Sequence, residues 1–349
     1  MTLKNLLAAG AAVAVILPAA AAMAQTIQVT GAGSSFAAPI YSKWSTAAAT
    51  PVGIQLNYGS VGSGAGVKAI TERNVDFGAS DAPVSPEKLA AGHLVQFPTV
   101  MGAVVLMANV PGVKEGTLKL DGPTIAGIYE GKIVKWNDPA IAALNKGVKL
   151  PSIAIAPVYR ADASGTTFVF TSYLSLVAPE WKSSVGAATS VKWPTGTGAN
   201  NSNGVAATVS QVRGGIGYVE YSYAAQNKIS MTELKAHDGA VISPTMANFA
   251  AAAAKADWSH AQNLAVSILD MPGANSWPIV TPTYALVAAD PKDAAKSSAV
   301  LRMFDWAFKN GGPAAQEISY IPLPATVQEQ VRGVWRASVK GLDGAAVYK

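Results

Sequence analysis
The side chains best suited to chemistry stand in residues 159–170, YRADASGTTFVF. An apolar, β-branched run at 153–158 hands over to Arg160, Asp162 and then Ser164-Gly165-Thr166-Thr167, after which the pattern turns helical. A strand that ends in a short polar turn and opens a helix leaves the first helical N–H groups unpaired, at the positive end of the helix dipole. Such a turn is a socket for an anion. Arg160 adds a planar, permanently charged fork that suits two oxygens of one oxyanion. Taken alone, the stretch also fits a plainer reading, in which Ser164 or Thr166 caps its own helix and Arg160 pairs with a surface carboxylate. Asp162 is either an Asx-turn former or the partner that holds Arg160 in place.

Comparable turns come earlier in the chain. The alternating segment 27–30 runs into GAGSSF and a helical stretch with Ile40, Tyr41 and Trp44; the strand-like 54–58 runs into GSVGSGAG and a second helix through Val67 and Ile70. A third, shorter unit takes residues 75–78 as strand, 79–83 as turn and 86–91 as a helix begun by Pro86. Strands alternating with helices in this way predict an α/β fold, a mainly parallel sheet flanked by helices, whose ligands collect at the carboxyl ends of the strands. Ser35, Ser63 and Asp81 all fall at such ends. Further on, 102–109 is a buried-strand run, Asp121-Gly122-Pro123 and Asp138-Pro139 open helices, and 195–204 is a glycine- and asparagine-rich loop. Helix is expected at 205–212 and 245–256, strand at 216–221 and 284–288. Two closing helices follow, one with Leu301, Phe304 and Phe308 on a face, the other with Val327, Val331 and Val334.

Composition narrows the classes. The 349 residues are long enough for two cores. Lys4, an apolar core at 6–17 and Ala22-Met23-Ala24 read as a secretory leader, residues 1–24, cleaved after Ala24. No later apolar run reaches about 18 residues, so the mature chain is expected to be soluble. The net charge of +5 favours anionic partners, yet no basic run is long enough to track a nucleic-acid backbone. Cysteine is absent, which excludes disulfides, thiol catalysis and cysteine-held metals. His93, His237 and His260 lack metal-ligand spacing and read as surface residues. GAGSSF has Phe36 where a dinucleotide fingerprint needs its third glycine, no Walker A lysine follows a glycine loop, and GASDA lacks the last glycine of a nucleophile elbow. Tyr218 and Tyr221 read as core or interface residues.

Ser34, Ser35, Ser63, Asp81, Arg160, Ser164 and Thr166 together offer hydroxyls, helix-start N–H groups, one guanidinium and one carboxylate. A tetrahedral oxyanion needs many short-range donors. Asp81 is the odd member, because a carboxylate repels an anion unless the anion carries a proton to give it. Phosphate keeps at least one proton at neutral pH and sulfate keeps none. Asp81 therefore predicts preference for phosphate over a fully ionised tetrahedral ion.

The motifs GAGSSFAAPIYSKW, VDFGASDAP, QFPTV, KIVKWNDPAI, RADASGTTFVFTSYL, VKWP and GGIGYVEYSYA, in this order, closely resemble the periplasmic phosphate-binding proteins of high-affinity phosphate ABC transporters, the PstS family. The resemblance runs from Thr30 to about Trp335. It implies the two-lobed, type II periplasmic-binding-protein fold, each lobe a mainly parallel sheet with helices, the lobes joined by two hinge crossings. Lobe I is expected over 25–100 and 281–349 and lobe II over 101–280, with residues 97–100 and 277–282 as the crossings. It also implies phosphate contacts from Ser35 and Phe36 in the first turn, Ser63 in the second, Asp81 as acceptor, and Arg160, Ser164, Gly165 and Thr166 in the RAD-x-SGT motif, with Asp162 holding Arg160. Ser35 replaces a threonine of some members, Ala163 stands where glycine is common, and Gly64 where a serine follows the second-turn serine.

The expected function is capture of inorganic phosphate by a monomeric periplasmic receptor that delivers it to the permease and ATPase subunits of the transporter. No enzyme activity, cofactor, metal or nucleic-acid partner is expected. A phosphatase on the same scaffold would need an activated nucleophile or a metal, and a scavenging or adhesion role is the remaining alternative.

Overall fold
The computed structural model describes residues 26–349. The leader expected over 1–24 lies outside them. Three strand–helix units open the chain: β1 (Ile27–Gly33) with α1 (Ala38–Val52), β2 (Ile54–Ser60) with α2 (Ser63–Thr71), and β3 (Phe77–Ser80) with α3 (Pro86–Ala91). The long β4 (Leu94–Ala108) leads into β5 (Lys119–Leu120), α4 (Gly122–Tyr129), α5 (Pro139–Leu144), β6 (Ala156–Arg160), α6 (Gly165–Val177) and α7 (Pro179–Ser184). Then come β7 (Thr197–Ala199), α8 (Asn201–Gln211), β8 (Gly215–Glu220), α9 (Tyr221–Gln226), β9 (Glu233–Lys235), β10 (Val241–Ile242), α10 (Met246–Ala253) and β11 (Ile268–Leu269). The chain returns through β12 (Ile279–Ala288) and ends in α11 (Ala294–Asn310), α12 (Gly312–Glu317) and α13 (Ala325–Ser338).

The main sheet runs β2-β1-β3-β12-β4-β8-β6-β7. Pairing is parallel at both ends, among β2, β1 and β3 and among β8, β6 and β7, as the strand–helix alternation predicts. The middle is antiparallel, because β4 and β12 run against each other and against their outer neighbours. β4 joins the two ends: its first part pairs with β12 up to Ala103 and its last residues, from Val104, pair with β8. Every residue of β4 and of β12 is buried, so neither strand shows an exposed polar face in alternation, and the polar residues they carry, Gln96, Thr99, Thr281 and Thr283, are buried too.

Pro98 and Pro282 lie inside these central strands, although proline removes a ladder donor. A register shift accommodates the first. Thr283 pairs with Val100 and Tyr284 with Pro98, leaving Thr99 as the extra residue of a bulge. Its hydroxyl bonds the carbonyl of Thr283 at 3.2 Å and the hydroxyl of Tyr41 at 2.8 Å. Residues 97–100 thus lie within β4 opposite residues 283–285, and residues 279–282 open β12 opposite residues 101–103, after the non-strand Trp277-Pro278.

Each end of the sheet packs its own aromatic group. Tyr41, Phe77, Phe97, Phe304 and Trp335 meet edge to face at one end, with Phe97 and Trp335 centroids 5.0 Å apart. Tyr129, Phe170, Trp193 and Tyr218 form the other, with Phe170 stacked on Tyr218 at 4.2 Å. Such pairs contribute about 0.5–1.5 kcal/mol each beyond the area they bury.

Several local expectations need correction. Residues 75–76 are not strand and Ala79-Ser80 are not turn: β3 begins at Phe77, which pairs with Gly31, and Asp76 instead turns its carboxylate onto the N–H of Thr30 at 2.7 Å. The loop at 195–204 contains β7, an edge strand paired in parallel with Val158–Arg160, and α8 starts at Asn201, four residues before Val205. The helix expected over 245–256 is α10, capped by Thr245 and ended at Ala253. Val327 and Val331 are buried on α13, whereas Val334 is only half-buried. Asp121 and Asp138 cap α4 and α5 by accepting from Thr124 and Ala140, as their spacing predicts.

Gly33 ends β1 at φ 141°, and a methyl there would lie 2.1 Å from the carbonyl oxygen of Ala79. Gly33→Ala is expected to destabilise the fold by more than about 2 kcal/mol in urea unfolding, since both backbone conformation and a rigid neighbour oppose the side chain.

Candidate anion-binding site
Strand–turn–helix junctions from both ends of the sheet meet at one place. β1 delivers Ser34, Ser35 and Phe36; β2 and α2 deliver Ser63; β3 delivers Asp81; β6 and α6 deliver Arg160, Ser164, Gly165 and Thr166. All of these are buried, Asp81 to 1% exposure and Arg160 to 3%.

Arg160 closes β6 and reaches across to the first turn. Its Nη1 donates to the Ser35 hydroxyl at 3.0 Å and to Ser202 at 3.4 Å. Asp162 grips the same guanidinium from below: Nε donates to Oδ1 at 2.7 Å and Nη2 to Oδ2. Burial pushes the Asp162 carboxyl up, but the hydrogen bonds and charge of Arg160 outweigh it and hold the pKa below the ordinary value. The Asp162 Oδ1 also accepts from the N–H of Asn201 at 3.0 Å. Of the two readings of Asp162, the structure carries the guanidinium clamp, and Arg160 pairs with no surface carboxylate.

The start of α6 is both a capped helix and an open donor set. Ser164 accepts from the N–H of Thr167 at 3.1 Å. The N–H groups of Gly165 and Thr166 have no acceptor within the helix, as at any helix start. The Gly165 Cα packs directly against Asp81 and Ser63: a methyl there would meet the Ser63 hydroxyl at 2.5 Å and the Asp81 Oδ2 at 2.7 Å. Glycine is required there by contact, without any unusual φ.

Asp81 is the only acid among these donors. Its Oδ1 accepts from Ser34 at 2.5 Å and Thr283 at 2.8 Å; Oδ2 accepts only from Thr166, at 3.4 Å. Its own N–H points to the Ser63 hydroxyl at 3.3 Å. Burial raises the Asp81 pKa from 3.8 to about 6, against the lowering pull of Ser34, Thr283, Arg160 and Thr166. One carboxylate oxygen is therefore saturated and the other, beside the α6 start, has capacity left.

Two contributors escaped the sequence reading. Ser202 stands on α8 in the asparagine-rich segment whose composition predicts a loop, and its hydroxyl lies 2.9 Å from that of Ser35. Thr283, from β12, reaches Asp81 across about 200 residues of chain. Only the onset of a helix after Asn200 could have drawn attention to Ser202, and nothing in TPTY marks Thr283. Phe36 is fully buried, with its carbonyl accepting from Tyr320 at 2.5 Å. The three histidines lie apart, exposed, each beside an aspartate: His93 with Asp290, His237 with Asp270 and His260 with Asp257. Among the described residues no three His, Asp or Glu side chains group to hold a metal ion.

The PBP superfamily domain matches residues 19–306. The phosphate-binding protein PstS of Pasteurella multocida is 44% identical over 336 residues, covering 96% of this chain and 98% of the relative. The chain belongs to the PstS family of phosphate-binding proteins. PstS of Xylella fastidiosa strain Temecula1 is 43% identical over 323 residues, 93% of this chain and 89% of the relative. Among solved structures, a phosphate-binding protein of Stenotrophomonas maltophilia shares the fold at TM-score 0.66 and 22% identity, covering 88% of this chain and 93% of its own. A putative phosphate transporter substrate-binding protein of Clostridium perfringens, solved with phosphate, does so at TM-score 0.61 and 19% identity, covering 85% and 100%.

Two of the three positions that depart from the PstS pattern, Gly64 and Ala163, touch. A side chain on Gly64 would lie 2.5 Å from the Cβ of Ala163, and the Gly64 N–H donates to the Ala163 carbonyl at 2.9 Å. The methyl of Ala163 fills the space that a serine at 64 would need, so the two departures compensate each other.

A second buried acid stands nearby. Glu220 ends β8 opposite Val104; Oε2 accepts from the N–H of Ser222 at 3.0 Å and Oε1 has no partner. Burial raises its pKa from 4.5 to about 8. Asp81 and Glu220 both hold a proton more tightly when folded. Their penalty is absent below the unfolded values and grows as pH climbs to about 6 and about 8. Anion-free protein is therefore expected to lose up to about 1.4 kcal/mol per pH unit from each acid within its window. Thermal unfolding across pH 4.5–8 checks this, and Glu220→Gln should flatten the curve between about pH 6 and 8.

Proposed function
We propose that the protein captures inorganic phosphate between two lobes, residues 25–100 with 281–349 on one side and 101–280 on the other, and hands it to an ABC transporter in the periplasm. The permease and ATPase subunits are its partners and it works as a monomer. Family membership supports phosphate as the ligand and transport as the role. The observation that carries the chemistry is Asp81: a lone, buried acceptor with one unsaturated oxygen, faced by hydroxyls, helix-start N–H groups and a clamped guanidinium.

In this reading Ser35, Phe36 and Ser63 donate from one lobe, Arg160, Ser164, Gly165 and Thr166 from the other, and Asp81 Oδ2 accepts the proton that phosphate still carries. Asp162 keeps the Arg160 fork facing the anion. Binding draws the lobes together because one ion satisfies donors on both, a population shift paid for by contacts that exist only in the closed form. β4 and β12, with Pro98 and Pro282, are the crossings about which the lobes move. Sulfate brings no proton, so Asp81 meets it with an unpaired acceptor and a like charge. Those terms are worth about 1–3 kcal/mol and several more, enough for about a thousandfold preference.

Isothermal titration with both anions tests the reading. Arg160→Ala is expected to weaken phosphate binding by about a hundredfold or more, since it removes the guanidinium and leaves the half-buried Asp162 without its partner. Asp81→Asn is expected to narrow the phosphate-to-sulfate ratio by at least about tenfold. An unaltered ratio would refute the acceptor role.

The pH dependence supplies a separate check. Below about 6 the Asp81 carboxyl takes up a proton and can itself donate, so sulfate affinity of the unsubstituted protein should rise as pH falls through that value. Competition titrations between pH 5 and 7.5 read this directly.

A further inference from the structure
Three consecutive carbonyls of the first turn are each held by a tyrosine hydroxyl. Tyr58 donates to the carbonyl of Ser34 at 2.8 Å, Tyr223 to that of Ser35 at 2.6 Å and Tyr320 to that of Phe36 at 2.5 Å. They come from three separate places: β2, the helix α9 and the segment between α12 and α13. In a trans peptide the C=O and the following N–H point in opposite directions. A hydroxyl that fixes the Ser35 carbonyl on one side therefore fixes the Phe36 N–H on the other, and also polarises it. Among the described residues no backbone or side-chain acceptor takes that N–H.

The three tyrosines are not equivalent. Tyr58 lies within β2, paired with β1 at one end of the sheet, and Tyr320 lies in the C-terminal segment whose Ile321 bridges to Met101 on β4. Tyr223 stands on α9, directly after β8 at the other end, and β3, β12 and β4 separate β8 from β1. Its bond to Ser35 spans the crevice, as does the contact of Arg160 with Ser35. Tyr223 is 4% exposed, and burial raises its pKa, so the hydroxyl stays a neutral donor at any working pH.

We infer that Tyr223 is a positioning residue for anion capture: from the far side of the crevice its hydroxyl seizes the Ser35 carbonyl on closure and locks the Phe36 N–H onto the bound anion. The inference rests on the phosphate-capture reading above and adds a closing contact to it. Because the bond forms only when both sides meet, it slows release without affecting encounter. Tyr58, bonded within one side, shapes the turn in open and closed forms alike.

Stopped-flow exchange of inorganic phosphate, with thermal unfolding of the anion-free protein, separates the cases. Tyr223→Phe is expected to raise the release rate about three- to tenfold, the weight of one hydrogen bond, and to leave the association rate within about twofold. Its anion-free melting temperature and the phosphate-to-sulfate ratio should be unchanged, since a backbone N–H does not distinguish a protonated anion. Tyr58→Phe is expected to lower the anion-free melting temperature as well. Unchanged release in Tyr223→Phe would overturn the inference. So would failure of that variant to fold, or a release change matched by a fall in anion-free stability, because either outcome assigns the hydroxyl to ordinary packing. If the unsubstituted protein binds no phosphate, the capture reading itself fails and takes this inference with it.

Discussion
Two opposite charges are kept almost dry within one crevice. Asp81 and Arg160 are each at most 3% exposed, and neither is paired with the other by a direct bond. An isolated buried charge costs several kcal/mol even after relaxation, so each needs its own compensation. Arg160 has it in the two-oxygen grip of Asp162, and Asp81 in the hydroxyls of Ser34, Thr283 and Thr166. Much of the local architecture follows from that requirement. Serine and threonine at the ends of β1 and α6 and on β12 supply neutral donors that stabilise a carboxylate without cancelling its charge.

Such compensation works only at short range, and short range between backbones needs small residues. A methyl on Gly62 would lie 2.3 Å from the Asp162 carboxylate, one on Gly165 2.5 Å from the Ser63 hydroxyl, and one on Gly64 2.5 Å from Ala163. These glycines let the second turn and the α6 start sit directly on each other. At the Gly64–Ala163 contact one methyl fits and two do not.

The sheet provides the frame. Parallel strands at both ends point their carboxyl ends, and hence their helix starts, at a common crevice. β4 and β12 carry the chain between those ends as paired strands, which holds the two sets of turns in register. The bulge at Thr99, beside Pro98, shifts the register between these two strands.

Much of the site was legible in the sequence because it is local. A strand, a Ser/Gly turn and a helix start are set by residues within a few positions of each other, and so are the caps at Asp121, Asp138 and Ser164 and the Arg160–Asp162 pair. Asp81 stood out by chemistry, as an acid among donors. What residue types could not convey is which turns meet. Ser202 and Thr283 join the site through pairings of β7 with β6 and of β12 with β3, between residues far apart in the chain, and Tyr223 reaches Ser35 over 188 positions. The start of β3 at Phe77 and the strand hidden at Thr197–Ala199 were misplaced for the same reason. Local propensity selects turn and helix chemistry, but an edge strand exists only when its neighbour is there to bond it, and a serine becomes part of a site only when folding brings it across the crevice.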